Sequence, residues 1–438
     1  MLVRFAGTNI RSFRDSFEIS FEATPLSEKQ VVRQIPWRTG TGASAHVGVL
    51  PVAAIFGANA SGKSNVLRAL GDMRAIVLNS FRHWTTAGRT RRTPFRLDTR
   101  SEHEPSRFEM DLVLGGVLHR YGFTLDDERI IDEWAFRFPK GRPQRIFERT
   151  RDGMAFGSST SAATIRAAEL VRDNALFLST AVAVRGDELR PLYEWFERNL
   201  LYAAADNRDS RHFFTAKQLG DGVRRDQVLA LLRAADLGIV DVEEADTEAM
   251  PDDMREKIEK VLEILNEGEE TPVLSELPTP VSLVHEASDG RRIRFALEDE
   301  SLGTVVWLGL VGPIVDALDA GSVLLADELD ASLHPILVEQ IVRLFQDPET
   351  NPNRAQLIFN SHDAHLLGDS RSARILGRDQ VWFTEKMVGG ATSLFPLSDL
   401  NPRKEEAISK RYLTGRYGAI PIVSSGDFED ATRLATTR

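Results

Sequence analysis

The sequence predicts an α/β protein: a mainly parallel sheet, an antiparallel β subdomain near the N-terminus and a helical insertion in the middle. Three observations predict it. Pro51–Phe56 is a continuous apolar run of buried-strand type that stops at a glycine, and Val66, Leu67, Leu70 and Met73 then recur at helical spacing. Ser322–Ala326 and Gln356–Asn360 are short apolar runs, each following a helical stretch, as covered parallel strands do. Ahead of them, several segments alternate apolar and polar residues between turn signals, which marks half-buried antiparallel strands.

Taken in order, Leu2–Phe5 and Phe17–Phe21 read as strands around a turn at Asn9–Asp15. Phe108–Leu114 and His119–Leu125 read as a hairpin closed at Gly115-Gly116, and Ile130–Phe138 adds a strand. From Asp187 to Gly268 the pattern is helical, with Leu189, Leu192, Tyr193 and Phe196 on one stripe. Asp241–Glu270 is strongly acidic around a helix-like stretch, Met254–Leu265, and Pro272, Pro278 and Pro280 then punctuate a loop. No heptad persists there, which excludes a long coiled coil, and no internal repeat is visible. The expected division is an N-terminal lobe at 1–185, a helical insertion at 186–280 and a C-terminal lobe at 281–438.

Composition narrows the class. With 42% hydrophobic and 27% charged residues the chain is an ordinary globular protein. A net charge of −11 argues against coating nucleic acid by charge alone. Arg82, Arg89, Arg91, Arg92, Arg96 and Arg100 crowd one stretch, read first as a solvated arginine-rich loop and second as a nucleic-acid contact. Without cysteine there is no disulfide, thiol catalysis or thiolate zinc site. Met1–Thr8 lacks the features of a signal peptide. Val305–Leu318, interrupted by Pro313 and Asp316, falls short of the ~20 residues a membrane span needs. A cytoplasmic protein with no membrane partner is the expectation.

Chemistry concentrates in four places. Gly57-Ala58-Asn59-Ala60-Ser61-Gly62-Lys63-Ser64 is a complete phosphate-binding loop, set between a buried strand and an amphipathic helix. Gly57 and Gly62 let successive backbone N–H groups, including those near Asn59 and Ser61, turn toward phosphate oxygens. Lys63 supplies charge to the β- and γ-phosphates, the Ser64 hydroxyl can ligate Mg²⁺, and the following helix adds its positive end. The expected ligand is ATP with Mg²⁺. Asp327-Glu328 directly follows the apolar run ending at Ala326. A carboxylate at a core-strand end beside such a loop can hold the magnesium hydration shell, and Glu328 can polarise an attacking water as general base.

Leu329-Asp330-Ala331-Ser332-Leu333-His334-Pro335 follows immediately, Asn360-Ser361-His362-Asp363 follows the next apolar run, and Glu300-Ser301-Leu302-Gly303-Thr304 precedes the helix leading into Asp327. With these residues the sequence resembles the ABC-type ATPases of the RecF/SMC-like branch. Asn9-Ile10-Arg11-Ser12-Phe13 and Thr414–Pro421 are also similar to a bacterial subgroup of AAA-annotated ATP-binding proteins frequent in anti-phage defence operons. The resemblance covers both ends of the chain but not the helical middle. It implies an ABC-type head in which Ser301–Thr304 is the signature motif. Ser301 and Gly303 would then contact the γ-phosphate held by a second protomer, Asp330 would lie at the dimer interface, and His362 would sense the γ-phosphate. Leu302 departs from the usual small residue at its position. His334 reads as a helix-start residue. No glutamine is assigned to the phosphate-sensing loop, since Gln144, Gln218 and Gln227 are all poorly placed.

The absence of an Asn-Lys-X-Asp motif disfavours a GTPase, and a small-molecule kinase would not explain Leu329–Pro335 or Ser361-His362. A fused nuclease, as in OLD-like relatives, would have to use Asp427, Glu429 and Asp430 in the short tail. The expected function is an ATPase switch that dimerises on ATP, the sensor or scaffold of a defence module whose effector is a separate, operon-encoded protein. The alternatives are a RecF-like ATPase that clamps DNA directly and a regulatory module that binds ATP without turnover.

Overall fold

The computed structural model describes residues 1–38, 44–85, 88–139, 141–203, 208–220, 222–244, 281–370, 374–421, 424 and 426. A central sheet of six strands runs in the order β11 (Leu200–Ala203), β15 (Val323–Ala326), β16 (Gln356–Asn360), β5 (Val52–Gly57), β17 (Val381–Lys386) and β18 (Thr392–Pro396). The first five are mutually parallel and β18 is antiparallel to β17. Parallel strands expose all their C-terminal ends along one edge, and ligands of such sheets bind there.

A seven-stranded antiparallel sheet lies against it, in the order β10 (Gly153–Phe156), β9 (Gln144–Thr150), β8 (Ile130–Phe138), β7 (Val117–Leu125), β6 (Ser106–Leu114), β1 (Leu2–Thr8) and β2 (Phe17–Ser20). The expected hairpin closes between Leu114 and Val117. Gly115 and Gly116 both have positive φ, 55° and 76°. A two-residue turn matching the strand twist needs that conformation at both positions, and glycine adopts it without strain. A third, small sheet pairs β12 (Ile239–Glu244), β13 (Val281–Glu286) and β14 (Arg292–Phe295), and β3 (Arg33–Arg38) pairs with β4 (Ser44–Val49).

Alternation along the parallel strands divides the core in two. Ala53, Ile55, Val323, Leu325 and Ile358 face the Lys63–Asn79 helix and the antiparallel sheet. Val52, Ala54, Phe56, Leu324, Ala326, Leu357 and Phe359 face the C-terminal helices. Both faces are covered, which is why these strands read as continuous apolar runs.

Within residues 186–280, read from sequence as a helical insertion, Leu200–Ala203 is an edge strand of the central sheet. Leu192, Trp195 and Phe196 are buried in the first core. Strand β12 pairs with β13, so 245–280 is spliced between two paired strands. Met254–Leu265 falls outside the described residues, as do Asp427, Glu429 and Asp430.

The apolar run near residue 310 is longer than the sequence reading gave it, forming the Leu302–Ala320 helix. By length and composition alone it could cross a membrane, yet Trp307, Leu308, Leu310, Val311 and Ile314 are buried in the second core. Pro313 sits inside it. One turn earlier, the Thr215 hydroxyl donates to the Leu308 carbonyl at 2.8 Å and accepts from Gly312 N at 3.2 Å. A Cβ on Gly312 would meet Thr215 at 2.5 Å, so glycine is what lets the Arg208–Leu219 helix approach so closely.

Candidate nucleotide site

Four strand ends build the site. In register, Ala326 pairs with Phe359, Asn360 with Ile55, and Thr384 with Gly57. The phosphate loop after β5, the acidic pair after β15 and the Ser361-His362 turn after β16 therefore open on one edge. Residues far apart in sequence become neighbours because the strand order is β15, β16, β5, β17.

The loop is braced from behind by β17 and β18. Ser61 Oγ and Thr384 Oγ1 lie 2.6 Å apart, and Thr392 Oγ1 donates to the Ser61 carbonyl at 2.8 Å. A Cβ on Gly57 would lie 2.4 Å from Thr384 Oγ1 and 2.5 Å from the Thr384 carbonyl. Gly62 has φ 107° and touches Thr392. Asn59 and Ala60 are the exposed tip.

The Asn9–Phe13 turn clamps the helix that follows. Arg11 forms a two-pronged ion pair with Asp72 at 2.6 Å for each bond, and Asn65 Nδ2 donates to Ser12 Oγ at 2.8 Å.

Lys63 is buried and its Nζ donates to the carbonyls of Gly57 and Ala58 at 2.9 and 3.1 Å. Burial pulls its pKa down to about 8, against the opposing pull of Glu328, Asp330 and Asp327. An ammonium made costly by burial and hydrogen-bonded to neutral carbonyls gains strongly from an anion, so this pocket favours phosphate.

Asn360 is the hub of the site. Fully buried at the end of β16, it donates through Nδ2 to Asp327 Oδ1 at 2.6 Å and to Ser64 Oγ at 3.2 Å. Its Oδ1 accepts the backbone N–H of Glu328, and its carbonyl accepts that of Leu329 at 3.2 Å. Two hard oxygen donors, Ser64 Oγ and Asp327 Oδ1, thus converge on one amide nitrogen. That donor set fits Mg²⁺, which keeps most of its shell as water and phosphate and takes few protein oxygens. The described residues hold no cluster of three or more acidic, His or Cys side chains able to cage a metal.

Glu328 is exposed with φ 53°, a left-handed conformation unusual for a residue with a Cβ. Asp327 is buried, with its second oxygen 3.9 Å from the Arg68 guanidinium. Asp330 Oδ2 accepts the backbone N–H of His362 at 3.1 Å, joining those two loops. The His362 ring has its pKa lowered, by burial first and by Lys63 second, so the neutral imidazole is favoured.

Ser301 behaves differently. It caps the Leu302–Ala320 helix, accepting from Thr304 N at 3.1 Å, and its hydroxyl otherwise pairs with Thr304 Oγ1 at 2.8 Å. A Cβ on Gly303 would lie 2.8 Å from the Ser332 carbonyl, so the two turns touch backbone to backbone. None of these bonds reaches the phosphate loop. Leu302 is exposed, and Glu300 Oε1 accepts from His285 Nε2 on β13 at 2.7 Å.

Of the residues singled out from sequence, the fold gathers Gly57, Asn59, Ser61, Gly62, Lys63, Ser64, Asp327, Glu328, Asp330 and His362 at one edge. Ser301 and Gly303 stand apart. His334 caps the Pro335–Gln346 helix. Gln218 and Gln227 bond Asp316 and Asp319, and Gln144 opens β9. The arginine-rich stretch is not simply a solvated loop. The Arg92 guanidinium is buried, paired with Asp127 and bonded to the carbonyls of Glu102 and Glu104. Sequence reading missed Asn360, Thr384 and Thr392. Only Asn360 carried a signal, as an amide closing a core strand just before Ser361-His362.

A family model described as "AAA domain, putative AbiEii toxin, Type IV TA system" matches residues 52–368, from the strand before the phosphate loop to just beyond His362. The chain belongs to this AAA-domain family. The loop, the acidic strand end and the His362 turn on one parallel edge are those of an AAA-type ATPase domain. No curated protein matches the chain. Among solved structures it is similar to an SMC head bound to the C-winged helix domain of ScpA. The identity is 12%, the TM-score 0.42, and the match covers 91% of this chain and 99% of that one. It is also similar to an Smc head with an extended coiled coil bound to the C-terminal domain of ScpA, derived from Pyrococcus furiosus. There the identity is 14% and the TM-score 0.36, with 91% and 97% covered. The family model ends well before Thr414–Pro421, where Tyr412 and Tyr417 stack on Phe383 of β17.

Proposed function

We propose that this AAA-domain protein hydrolyses ATP and uses the cycle as a dimerisation switch. The observation that carries the reading is an asymmetry. The phosphate loop, Asp327, Glu328 and His362 form one bonded unit, while the Ser301 helix start is an anion-attracting end with no phosphate loop of its own. A second copy completes the site if its Ser301 and Gly303 face the γ-phosphate held by the first.

In this scheme the loop N–H groups and Lys63 bind the triphosphate of ATP. Ser64 and, through water, Asp327 would hold Mg²⁺, which would supply charge neutralisation to the triphosphate. Glu328, exposed at the rim, takes a proton from the attacking water. His362, neutral by virtue of burial and Lys63, donates a hydrogen bond to the γ-phosphate, and Asp330 holds its turn in place. Closure draws on Glu300, whose bond to His285 ties the signature turn to β13, the strand returning from 245–280. Closure and reopening of the two copies would then be felt by a bound partner.

The setting we infer is a defence module in which this chain is sensor or scaffold for a separate effector. The family description, naming a toxin of a Type IV TA system, supports a multi-component setting. Internal use of Arg92 and a charge of −11 weigh against a DNA clamp. The test is Glu328→Gln beside wild type, followed by phosphate release and light scattering. We expect wild-type turnover, a loss of about 10²–10⁴-fold in the variant, and an ATP-stabilised dimer. No turnover in wild type, or no ATP-dependent dimer in the variant, overturns the reading. Salt-dependent binding of duplex DNA with ATP would move it to direct DNA maintenance.

A further inference from the structure

We infer that Asn360 is a positioning residue that couples the cation site to the general base, a role resting on the function proposed above. Its side chain is fully buried and spends both ends of its amide on the site. The Nδ2 end gathers Ser64 Oγ and Asp327 Oδ1, the two protein oxygens of the cation site. The Oδ1 end grips the backbone N–H of Glu328. One planar amide therefore fixes the distance between the cation oxygens and the peptide that carries the base.

That grip has a mechanical purpose. Glu328 has φ 53°, and a side chain with a Cβ holds this conformation only when its surroundings impose it. The Oδ1 acceptor and the bond from Leu329 N to the Asn360 carbonyl are the restraints on either side of that peptide. A cation drawing on Ser64 and Asp327 shifts the two acceptors of Nδ2. The rigid amide passes that shift to Glu328 N with no intervening flexible bond. Loaded and unloaded cation sites should therefore hold the base differently.

The chemistry restricts what can replace it. Leucine matches the shape but offers neither donor nor acceptor. Aspartate keeps the acceptor for Glu328 N but removes the donors for Ser64 and Asp327.

The test uses the full chain as wild type, Asn360→Leu and Asn360→Asp. Three quantities are read: binding of a fluorescent ATP analogue in EDTA, the Mg²⁺ concentration at half-maximal enhancement of that binding, and turnover at saturating Mg²⁺. Binding in EDTA should fall by no more than about fivefold in either variant, the scale of losing one brace on the phosphate loop, because Lys63 is untouched. The Mg²⁺ midpoint of Asn360→Leu should change by about tenfold or more, the usual scale for removing a partner of a metal ligand. Its turnover should fall about tenfold or more even at saturating Mg²⁺, while Asn360→Asp recovers turnover with its Mg²⁺ midpoint still altered. An unchanged midpoint in both variants overturns the cation link. Equal turnover losses in both at saturating Mg²⁺ overturn the grip on Glu328. A loss of binding in EDTA well beyond about fivefold, with a matching fall in melting temperature measured alongside, means a structural role only, and also overturns it. If wild type shows no turnover at all, the function proposed above fails, and the Mg²⁺ midpoint of binding alone still decides whether Asn360 serves the cation site.

Discussion

Gly57–Asn65 is braced by three distant chain segments, Ser12, Thr384 with Thr392, and Asn360, whereas among the described residues Ser301 bonds only its own first helical turn. The loop must hold a rigid, concave set of N–H donors, and rigidity comes from buried bonds at fixed strand ends. In the proposed dimer the Ser301 turn would meet the other copy; within the single chain it is exposed and satisfied locally. The difference teaches that the phosphate-loop half is preorganised within the chain, while the Ser301 half would, in the proposed dimer, be completed by assembly.

Three substitutions break or sharpen that comparison. The largest effect is expected from Lys63→Met, which removes the buried ammonium. Nucleotide affinity should drop on the order of 100-fold, about 3 kcal/mol of charge-assisted bonding, in equilibrium titration. The nucleotide-free variant should melt no lower than wild type, because burial already disfavours the charge. A Lys63→Met protein that binds ATP normally would place phosphate recognition elsewhere. Next is Ser301→Ala. Binding per isolated chain should stay within about twofold, while the ATP-dependent dimer weakens about tenfold, roughly the 1 kcal/mol of a lost cap plus its contact across the interface. If this variant instead loses nucleotide affinity as a monomer, the signature turn acts within one chain and the asymmetry disappears. The smallest expected effect is that of Thr392→Val, which deletes the bonds to the Ser61 carbonyl and Ser12. Loosening the brace should cost about 1 kcal/mol, near fivefold in nucleotide affinity, with dimerisation at saturating ATP unaffected. Isothermal titration with sedimentation reads both quantities.

Much of this was legible in the chain because its signals are local. A phosphate loop is eight consecutive residues whose glycines, lysine and serine act through their own backbone and the helix they start. The hairpin at Gly115-Gly116 was legible for the same reason, since two positive-φ residues between alternating runs leave one solution. The middle was less so. Leu200–Ala203 was read within a helical insertion because only four residues pair with β15, too few to show a strand period.

The sequence by itself determined the ligand class: Gly57–Ser64, Asp327-Glu328 and the Ser361-His362 turn state nucleotide chemistry in short, contiguous words. Only the tertiary structure decided how those words are joined. Asn360, Thr384 and Thr392 matter because β16 and β17 flank β5 on its two sides, and a strand's neighbours are set by the packing of the whole sheet. No local pattern encodes that order. A buried amide at residue 360 becomes the link between Ser64 and Glu328 only once β15, β16 and β5 lie side by side with their C-terminal ends aligned.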